Sequence, residues 1–211
     1  DVSNVSDLFK HPMSAIVSLG VCSSAFVSNK GLISTNYHCI EGSYLKFNSN
    51  AETDLFETGF VARTKDAEKR SAPGARVYVT LESSNITKQV LDGLTDDTKA
   101  IDRAKIIEDN KKEIIKKCET SDEVECRVRS FLSGETYTLE KVLQLKDIRL
   151  VYAPPAYIGE YGGEIDNWMY PRHTGDFALL RAYTAKDGSS KEYNEDHIPY
   201  KSDSFLSLIH I

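Results

Sequence analysis

The chain has 211 residues, of which 40% are hydrophobic and 27% are charged. These proportions are typical of a globular protein and exclude a disordered or collagen-like chain. A formal net charge of −6 gives no electrostatic reason to expect a nucleic-acid partner. No apolar stretch reaches the roughly 20 residues that a membrane-spanning helix needs, so we expect no membrane span. The chain begins DVSNVSDLFK, without an initiator Met or a signal peptide, and we expect a processed, trimmed or truncated N-terminus.

The first part of the chain predicts β structure. Short runs rich in β-branched and apolar residues predict strands at residues 14–19, 24–28, 31–39 and 76–81. The second and third runs flank Asn29-Lys30-Gly31, a turn with glycine at its end, and this pattern predicts a hairpin. Residues 51–72 are polar and mixed.

The hydrophobic period then changes to that of a helix. Between residues 96 and 119 the apolar positions recur about every 3.6 residues, at Ile101, Ala104, Ile107, Ile114 and Cys118. The side chains of residues 95–97 (Thr-Asp-Asp) are suited to capping the helix N-terminus. We predict an inserted helix at about 96–119, with its many charges on the solvated face.

The β pattern returns after this helix, at residues 124–131, 135–139, 145–152 and 177–183. Between the last two runs lies APPAYIGEYGGEIDNWMYPRHTGD, which contains the only Trp of the chain. Irregular segments of this length within a compact domain more often carry functional residues than serve only as connections. The predicted fold class is mainly β with an inserted helix (α+β).

Four cysteines fall into two close pairs, Cys22 with Cys39 and Cys118 with Cys126. We predict a disulfide in each pair, and hence an oxidising compartment. The alternative is four reduced, buried thiols in a cytosolic protein. Neither pair contains the short C-x-x-C or H-x-x-x-H spacing that is typical of zinc ligands, so we expect no metal here.

Two segments carry side chains suited to acid–base chemistry. In GLISTNYHC a predicted strand leads to His38, which is followed directly by Cys39. In HTGDFALLRAY, Asp176 precedes an apolar strand. Both resemble chymotrypsin-like serine peptidases, in which a histidine is the general base and an aspartate fixes its tautomer. The order His, then Asp, with Ser third, is the chymotrypsin order. For each residue alone, a structural histidine or a turn aspartate would be the simpler interpretation.

The third member of such a triad is missing from the chain. No G-x-S-G sequence is present, and Ser133 lies in a predicted hairpin without the upstream Gly. Either the nucleophile lies beyond Ile211 or the protein is inactive. His173 is a rival base, which we rank below His38 because two such residues on one loop rarely reach the required geometry.

Two longer blocks resemble the bacterial serine dipeptidyl-peptidases typified by dipeptidyl-peptidases 7 and 11 (serine peptidase family forty-six). CSSAFVSNKGLISTNYHC, at residues 22–39, is similar to the family block that ends Thr-Asn-His-His-Cys, with Tyr37 in place of the first His. The second block, at residues 145–183, is similar to the family's APP, Asp-Asn-Trp and Pro-Arg-His-Thr-Gly-Asp-Phe elements. The resemblance covers about residues 14–200, the N-terminal third or so of a typical member.

The resemblance implies a chymotrypsin-type double β-barrel, capped by a large helical domain, that removes dipeptides from free N-termini without metal or cofactor. His38 would be the general base and Asp176 its partner. Asn167 and Trp168 would bind the amine of the substrate, because an amide oxygen accepts from an ammonium and an aromatic face attracts it. Asp166 and Glu164 are local candidates for an accompanying anion. A periplasmic or secreted location, peptide substrates with a free N-terminus and a homodimeric full-length protein are also expected.

The chain would then be an incomplete barrel, lacking the second barrel and the cap. We assign residues 1–205 to the N-terminal part of the catalytic domain and expect this fragment alone to be inactive. Residues 206–211, LSLIHI, can be back-translated as CTG TCT CTT ATA CAC ATC, which matches a transposase adapter of sequencing libraries. We therefore expect a non-natural tail, the alternative being a genuine barrel strand. Two other functions remain open: a chymotrypsin-like endopeptidase fragment, and a non-catalytic peptide-binding barrel.

Overall fold

The computed structural model describes residues 7, 9–95, 97–163 and 173–206. The chain forms two compact units, one made of Asp1–Val79 with Leu145–Ile211 and the other of Thr80–Gln144. Among the described residues, no helix combines the length and the apolar character needed to cross a membrane.

Eleven strands and four α-helices follow one another along the described chain. The strands are β1 (Ile16–Ser18), β2 (Ser23–Phe26), β3 (Leu32–Thr35), β4 (Phe60–Val61), β5 (Lys69–Arg70), β6 (Val77–Asn85), β7 (Val124–Phe131), β8 (Thr136–Leu145), β9 (Asp147–Ala153), β10 (Ala178–Thr184) and β11 (Ile198–Pro199). The helices are α1 (Leu55–Thr58), α2 (Thr87–Val90), α3 (Ala100–Cys118) and α4 (Ala156–Gly159). A π-helical turn occupies Glu41–Lys46, and 3-10 turns occupy Met13–Ala15, Lys65–Ala67 and Leu132–Gly134.

The first unit is built on an antiparallel sheet. Its strands lie in the order β4-β9-β10-β3-β2-β1-β6, with β5 beside β9 and β11 beside β10. Over the described residues this sheet is open, not closed into a barrel. A mainly β fold is therefore confirmed, and the open sheet agrees with the expected incomplete barrel. The polar segment 51–72, for which no strand was predicted, contributes β4 and β5 along β9.

The hairpin β2–β3 forms around the turn that the sequence indicates. Ala25 pairs with Ser34 and Phe26 with Ile33, and Gly31 takes a φ of 68° at the end of the turn. Only glycine fits there, because an added Cβ would lie 2.6 Å from the carbonyl oxygen of Ala182. The hairpin is thereby held close against β10.

Side chains from both ends of the first unit's sequence fill its core. The largest fully buried ones include Phe26, Ile33, Tyr37, Ile40, Leu45, Val77, Leu145, Ile148, Leu150, Leu180 and Tyr183. Burial of one such side chain stabilises a fold by about 1.5–3 kcal/mol. This core fixes the turn after β3, which carries His38.

The second unit contains α2, α3 and the long β7–β8 hairpin. Its small core consists of Ile86, Val90 and Tyr137, against which Ile107 and Ile114 of α3 pack. The predicted apolar stripe is partly buried in its second half and exposed in its first, where Ile101 is 79% exposed. The predicted cap was wrong, because α3 begins at Ala100 with Lys99 as an N-cap that makes no side-chain hydrogen bond. Its last residue, Cys118, is bonded to Cys126 of β7.

The proposed non-natural tail lies almost wholly outside the described residues. Leu206, the first of the six, donates its backbone N–H to the carbonyl of Phe26 at 2.8 Å. Residues 207–211 are not described. The tail stays a prediction, which the encoding nucleotides decide.

Candidate active site

Strand pairing brings the two predicted catalytic residues together. In the β3–β10 ladder Thr35 is opposite Ala178. Continuing this antiparallel register sets residues 36–38 beside residues 175–177, although they are distant in sequence. The sequence prediction had the strand extend to residue 39, whereas β3 ends at Thr35 and His38 lies in the turn that follows.

The imidazole of His38 faces the carboxylate of Asp176. His38 Nδ1 lies 3.2 Å from Asp176 Oδ1 and 3.1 Å from Oδ2. The histidine side chain is 53% exposed, whereas that of the aspartate is 6% exposed. A buried carboxylate with an accessible imidazole in front of it is the arrangement that fixes the tautomer and leaves Nε2 available.

Further donors surround the carboxylate of Asp176. The backbone N–H groups of Tyr37 and His38 donate to Oδ1 at 2.7 and 3.3 Å. The Asn36 amide donates to Oδ2 at 3.0 Å. These bonds offset the cost of removing a carboxylate from water, and they fix its orientation toward the imidazole.

A disulfide holds the other side of the His38 turn. Cys22 and Cys39 are bonded, with their Cα atoms 6.2 Å apart. A ring nitrogen of His38 and both sulfur atoms lie within 4.8 Å of one another. Because the sulfurs are bonded to each other, they are not thiolate ligands, and this group is not a metal site.

Close packing beneath the turn ties Asp176 to helix α4. The ring of Tyr37 lies so near Gly159 that an added Cβ would be 2.5 Å from its Cγ atom. Gly159 and Ile158 in turn accept hydrogen bonds from the segment before Asp176: Thr174 Oγ1 donates to the Gly159 carbonyl at 2.7 Å, and the Gly175 N–H donates to Ile158 at 2.8 Å. The position of Asp176 therefore depends on contacts at residue 159.

Burial and neighbouring carboxyl groups perturb the titration of two groups near this turn, Glu41 and Tyr37. Burial, followed by repulsion from Glu160 and a hydrogen bond with it, raises the pKa of Glu41. Burial, reinforced by the charges of Glu160, Glu41 and Asp54, raises the pKa of Tyr37 to about 12. The Tyr37 hydroxyl has no hydrogen-bond partner among the described residues. Both groups are thus held in their neutral forms to a higher pH than usual.

The other predicted residues are not part of this cluster as the structure describes it. Asn167 and Trp168, with Asp166 and Glu164, lie outside the described residues. The rival base His173 has its ring edge-on to Tyr161, with centroids 6.3 Å apart. Ser133 lies in the turn of the β7–β8 hairpin, in the second unit.

A second His–Asp pair is closed off from solvent. His197 Nδ1 lies 2.9 Å from Asp147 Oδ2, and these side chains are only 6% and 1% exposed. Arg149 donates two further bonds to the same carboxylate, at 3.0 and 2.8 Å. The pair is a satisfied buried cluster, in contrast to the accessible His38.

Sequence reasoning missed Asn36 and Gly159. Asn36 lies within the block that resembles the family's Thr-Asn-His-His-Cys element, but nothing in one sequence distinguishes an orienting amide from an ordinary turn residue. Gly159 could be found only through its distant contact with Tyr37.

Comparisons with known proteins agree on one family. The Peptidase S46 family model matches residues 1–210. An Asp/Glu-specific dipeptidyl-peptidase of Shewanella putrefaciens is 46% identical over 204 residues, which are 97% of this chain and 28% of that protein. Dipeptidyl-peptidase 7 of Porphyromonas gingivalis is 36% identical over 192 residues, or 90% of this chain and 26% of that protein. The chain thus spans little more than a quarter of the length of these relatives.

A solved structure gives the same result for the fold. The crystal structure of Porphyromonas endodontalis DPP11 in complex with the dipeptide Arg-Asp matches with a TM-score of 0.81 and 31% identity. The match covers 92% of this chain and 28% of that one.

Proposed function

Because the chain belongs to the Peptidase S46 family, we propose that it supplies the general base and the orienting carboxylate of a serine-type dipeptidyl-peptidase. The observation that carries this proposal is the His38–Asp176 pair, with Nδ1–Oδ distances of 3.1 and 3.2 Å and an exposed imidazole. The solved DPP11 complexes and the named relatives support the class of reaction.

In the proposed mechanism Asp176 accepts a hydrogen bond from the Nδ1–H group of His38, and this tautomer leaves Nε2 unprotonated. Nε2 removes the proton of a serine hydroxyl as the serine oxygen attacks the peptide carbonyl. The imidazolium then gives this proton to the departing amine, while Asp176 stabilises its positive charge. The serine comes from outside these 211 residues, as do the donors that stabilise the oxyanion.

Release of dipeptides requires recognition of a free N-terminus. Asn167 and Trp168 would provide it, the amide by accepting a hydrogen bond from the ammonium and the indole by a cation–π contact. An endopeptidase of the same fold would need an open cleft without this clamp. The two activities therefore differ in whether an acetylated N-terminus blocks cleavage.

The setting of the reaction is part of the same proposal. Two disulfides among the described residues support a location outside the reducing cytoplasm, in the bacterial periplasm or secreted. Substrates would be peptides with free N-termini, and the full-length protein would be a homodimer. This chain alone should release no dipeptide, because a triad without its serine loses most of its catalytic power.

A chimera tests the proposal. This chain would replace the matched segment of the Shewanella putrefaciens relative, which is 46% identical to it. The chimera should release Leu-Asp from Leu-Asp-Ala-Phe-amide, and acetylation of the peptide should abolish release. The unmodified relative is the positive control, and the circular-dichroism unfolding curve shows whether the chimera is folded.

Each outcome separates the functions. Cleavage of the acetylated peptide would favour the endopeptidase. A folded chimera that binds the peptide without cleaving it would favour the non-catalytic barrel. The His38→Ala variant should lose activity by about 10⁶-fold, as removal of a catalytic base does in other serine peptidases.

A further inference from the structure

A polar pocket lies beside the His38 turn, in the first unit, and the mechanism above does not use it. Its cavity volume is about 170 Å³. The residues that line it include Leu19, Gly20, Cys39, Tyr44, Arg76 and Tyr78. Polar and charged groups thus converge on a small concave surface, as they do in ligand sites.

The pocket is close to the proposed catalytic base. Cys39, which lines it, follows His38 directly and is bonded to Cys22. Both sulfurs of this disulfide lie within 4.8 Å of a ring nitrogen of His38. A peptide whose scissile bond lies at His38 therefore needs only a few residues to reach the pocket, at about 3.3 Å per extended residue.

The pocket has one charged lining residue among those described, Arg76. Its side chain is 18% exposed and donates from Nη1 to the Ala75 carbonyl at 2.9 Å. It also forms an ion pair with Glu192, whose side chain is 64% exposed. Because an ion pair with so exposed a carboxylate contributes little, a ligand carboxylate can replace or join Glu192 on the guanidinium.

The described lining of the pocket is separate in sequence from the proposed amine-binding residues. The proposed amine-binding residues lie within residues 164–172, which the structure does not describe. The described residues on either side are Gly163 and His173, and His173 lies three residues before Asp176. The described pocket lining comes instead from residues 19–20, 39–44 and 74–78, and none of it from 154–163 or 173–177. The described residues that flank the proposed amine-binding segment therefore contribute nothing to this pocket.

We propose that this pocket binds the leaving part of the peptide, and that Arg76 selects a carboxylate within its first residues. The inference rests on the proposed function for the direction of the peptide. The carboxylate can come from an Asp or Glu side chain or from the C-terminus of a short substrate. Glu192 competes for the same guanidinium and limits the selectivity.

A binding experiment on this chain tests the pocket without any catalysis. The probes are two leaving-product peptides, Glu-Glu-Phe-amide and Gln-Gln-Phe-amide, together with Gln-Gln-Phe as the free acid. In ¹⁵N NMR titrations the acidic amide should shift Gly20, Gly74 and the Arg76 side chain, and the neutral amide should bind about threefold to tenfold more weakly. The free acid distinguishes a C-terminal carboxylate from a side-chain carboxylate.

Substitutions identify the group responsible. Arg76→Met should remove the preference for the acidic amide. Glu192→Gln changes an exposed side chain and should strengthen binding of the acidic amide. This second variant still tests the proposal if Arg76→Met fails to fold. Equal binding of both amides, shifts confined to other parts of the chain, or an unchanged preference in Glu192→Gln would overturn the proposal.

The chimera separates this proposal from the proposed function. A dipeptidyl-coumarin substrate has no leaving residues, so it measures the activity of the chimera independently of the pocket. Arg76→Met should lose the threefold to tenfold preference for Glu over Gln in the leaving residues of a peptide, whereas the exposed Glu52→Gln should keep it. An inactive folded chimera with intact binding by this chain would contradict the proposed function alone. An active chimera without any leaving-side preference would contradict the pocket assignment alone.

Discussion

Replacing Gly159 with alanine adds a methyl group where the structure leaves no room. The new Cβ would lie 2.5, 2.6 and 2.8 Å from Cγ, Cδ2 and Cδ1 of Tyr37. The tyrosine ring is fully buried and cannot move aside without disturbing the core. Its own backbone N–H donates to Asp176, so a displaced Tyr37 also displaces the carboxylate.

Two opposing contributions set the size of the effect. Overpacking of a well-packed site costs about 1–3 kcal/mol. Alanine is favoured over glycine within a helix by about 1 kcal/mol, but Gly159 is the last residue of the short helix α4, so this gain is smaller. We expect Gly159→Ala to lower the free energy of unfolding by about 1–2 kcal/mol.

Urea unfolding followed by circular dichroism measures this loss. Gly42→Ala is the matched control, because Gly42 also lies in a helical turn and an added Cβ there meets nothing within 4 Å. The control should leave stability unchanged or slightly raised. Tyr37→Leu should relieve part of the loss when combined with Gly159→Ala. Equal stability of Gly159→Ala and the unmodified chain would refute the packing argument.

Three further expectations concern titration, the cysteines and the chain end. The pKa of Glu41 is raised in the folded chain, so the folded chain keeps this proton to a higher pH than the unfolded chain does. The free energy of unfolding should therefore fall as pH rises from about 4.5 through that raised pKa. Glu41→Gln should therefore raise Tm more at pH 7 than at pH 4, with the exposed Glu52→Gln measured beside it as the control. Thiol titration of the oxidised, denatured chain should find no free cysteine. Each disulfide contributes about 3 kcal/mol of stability by loop-entropy arguments, so reduction of the disulfides should lower Tm. Sequencing of the encoding DNA should give the adapter codons at residues 206–211. Other codons at these positions would contradict the adapter origin of this segment.

Most of the fold could be predicted because its signals are local. β7 was placed at residues 124–131, the bounds that the structure gives. The hairpin at Gly31 and the body of α3 follow from turn chemistry and from the helical period. The start of α3 and the exposure of Ile101 could not be predicted, because tertiary packing decides which part of an amphipathic stripe is buried.

The candidate site could be predicted only in part. His38 and Asp176 stand in recognisable sequence blocks, and the β3–β10 ladder brings them together. The amide of Asn36, the contact of Gly159 with Tyr37 and the pocket at Arg76 depend on residues far apart in sequence. A single sequence carries no record of such contacts.

The central claim is that His38 acts as a base oriented by Asp176. The most direct measurement compares kcat for Leu-Asp-coumarin between the chimera and its Asp176→Asn variant, in which the amide disfavours the required tautomer. We predict a fall in kcat of about 10⁴-fold with little change in KM, and the unfolding curve shows whether the variant is folded. A folded Asp176→Asn variant that keeps a kcat within a few-fold of the chimera's would contradict the account.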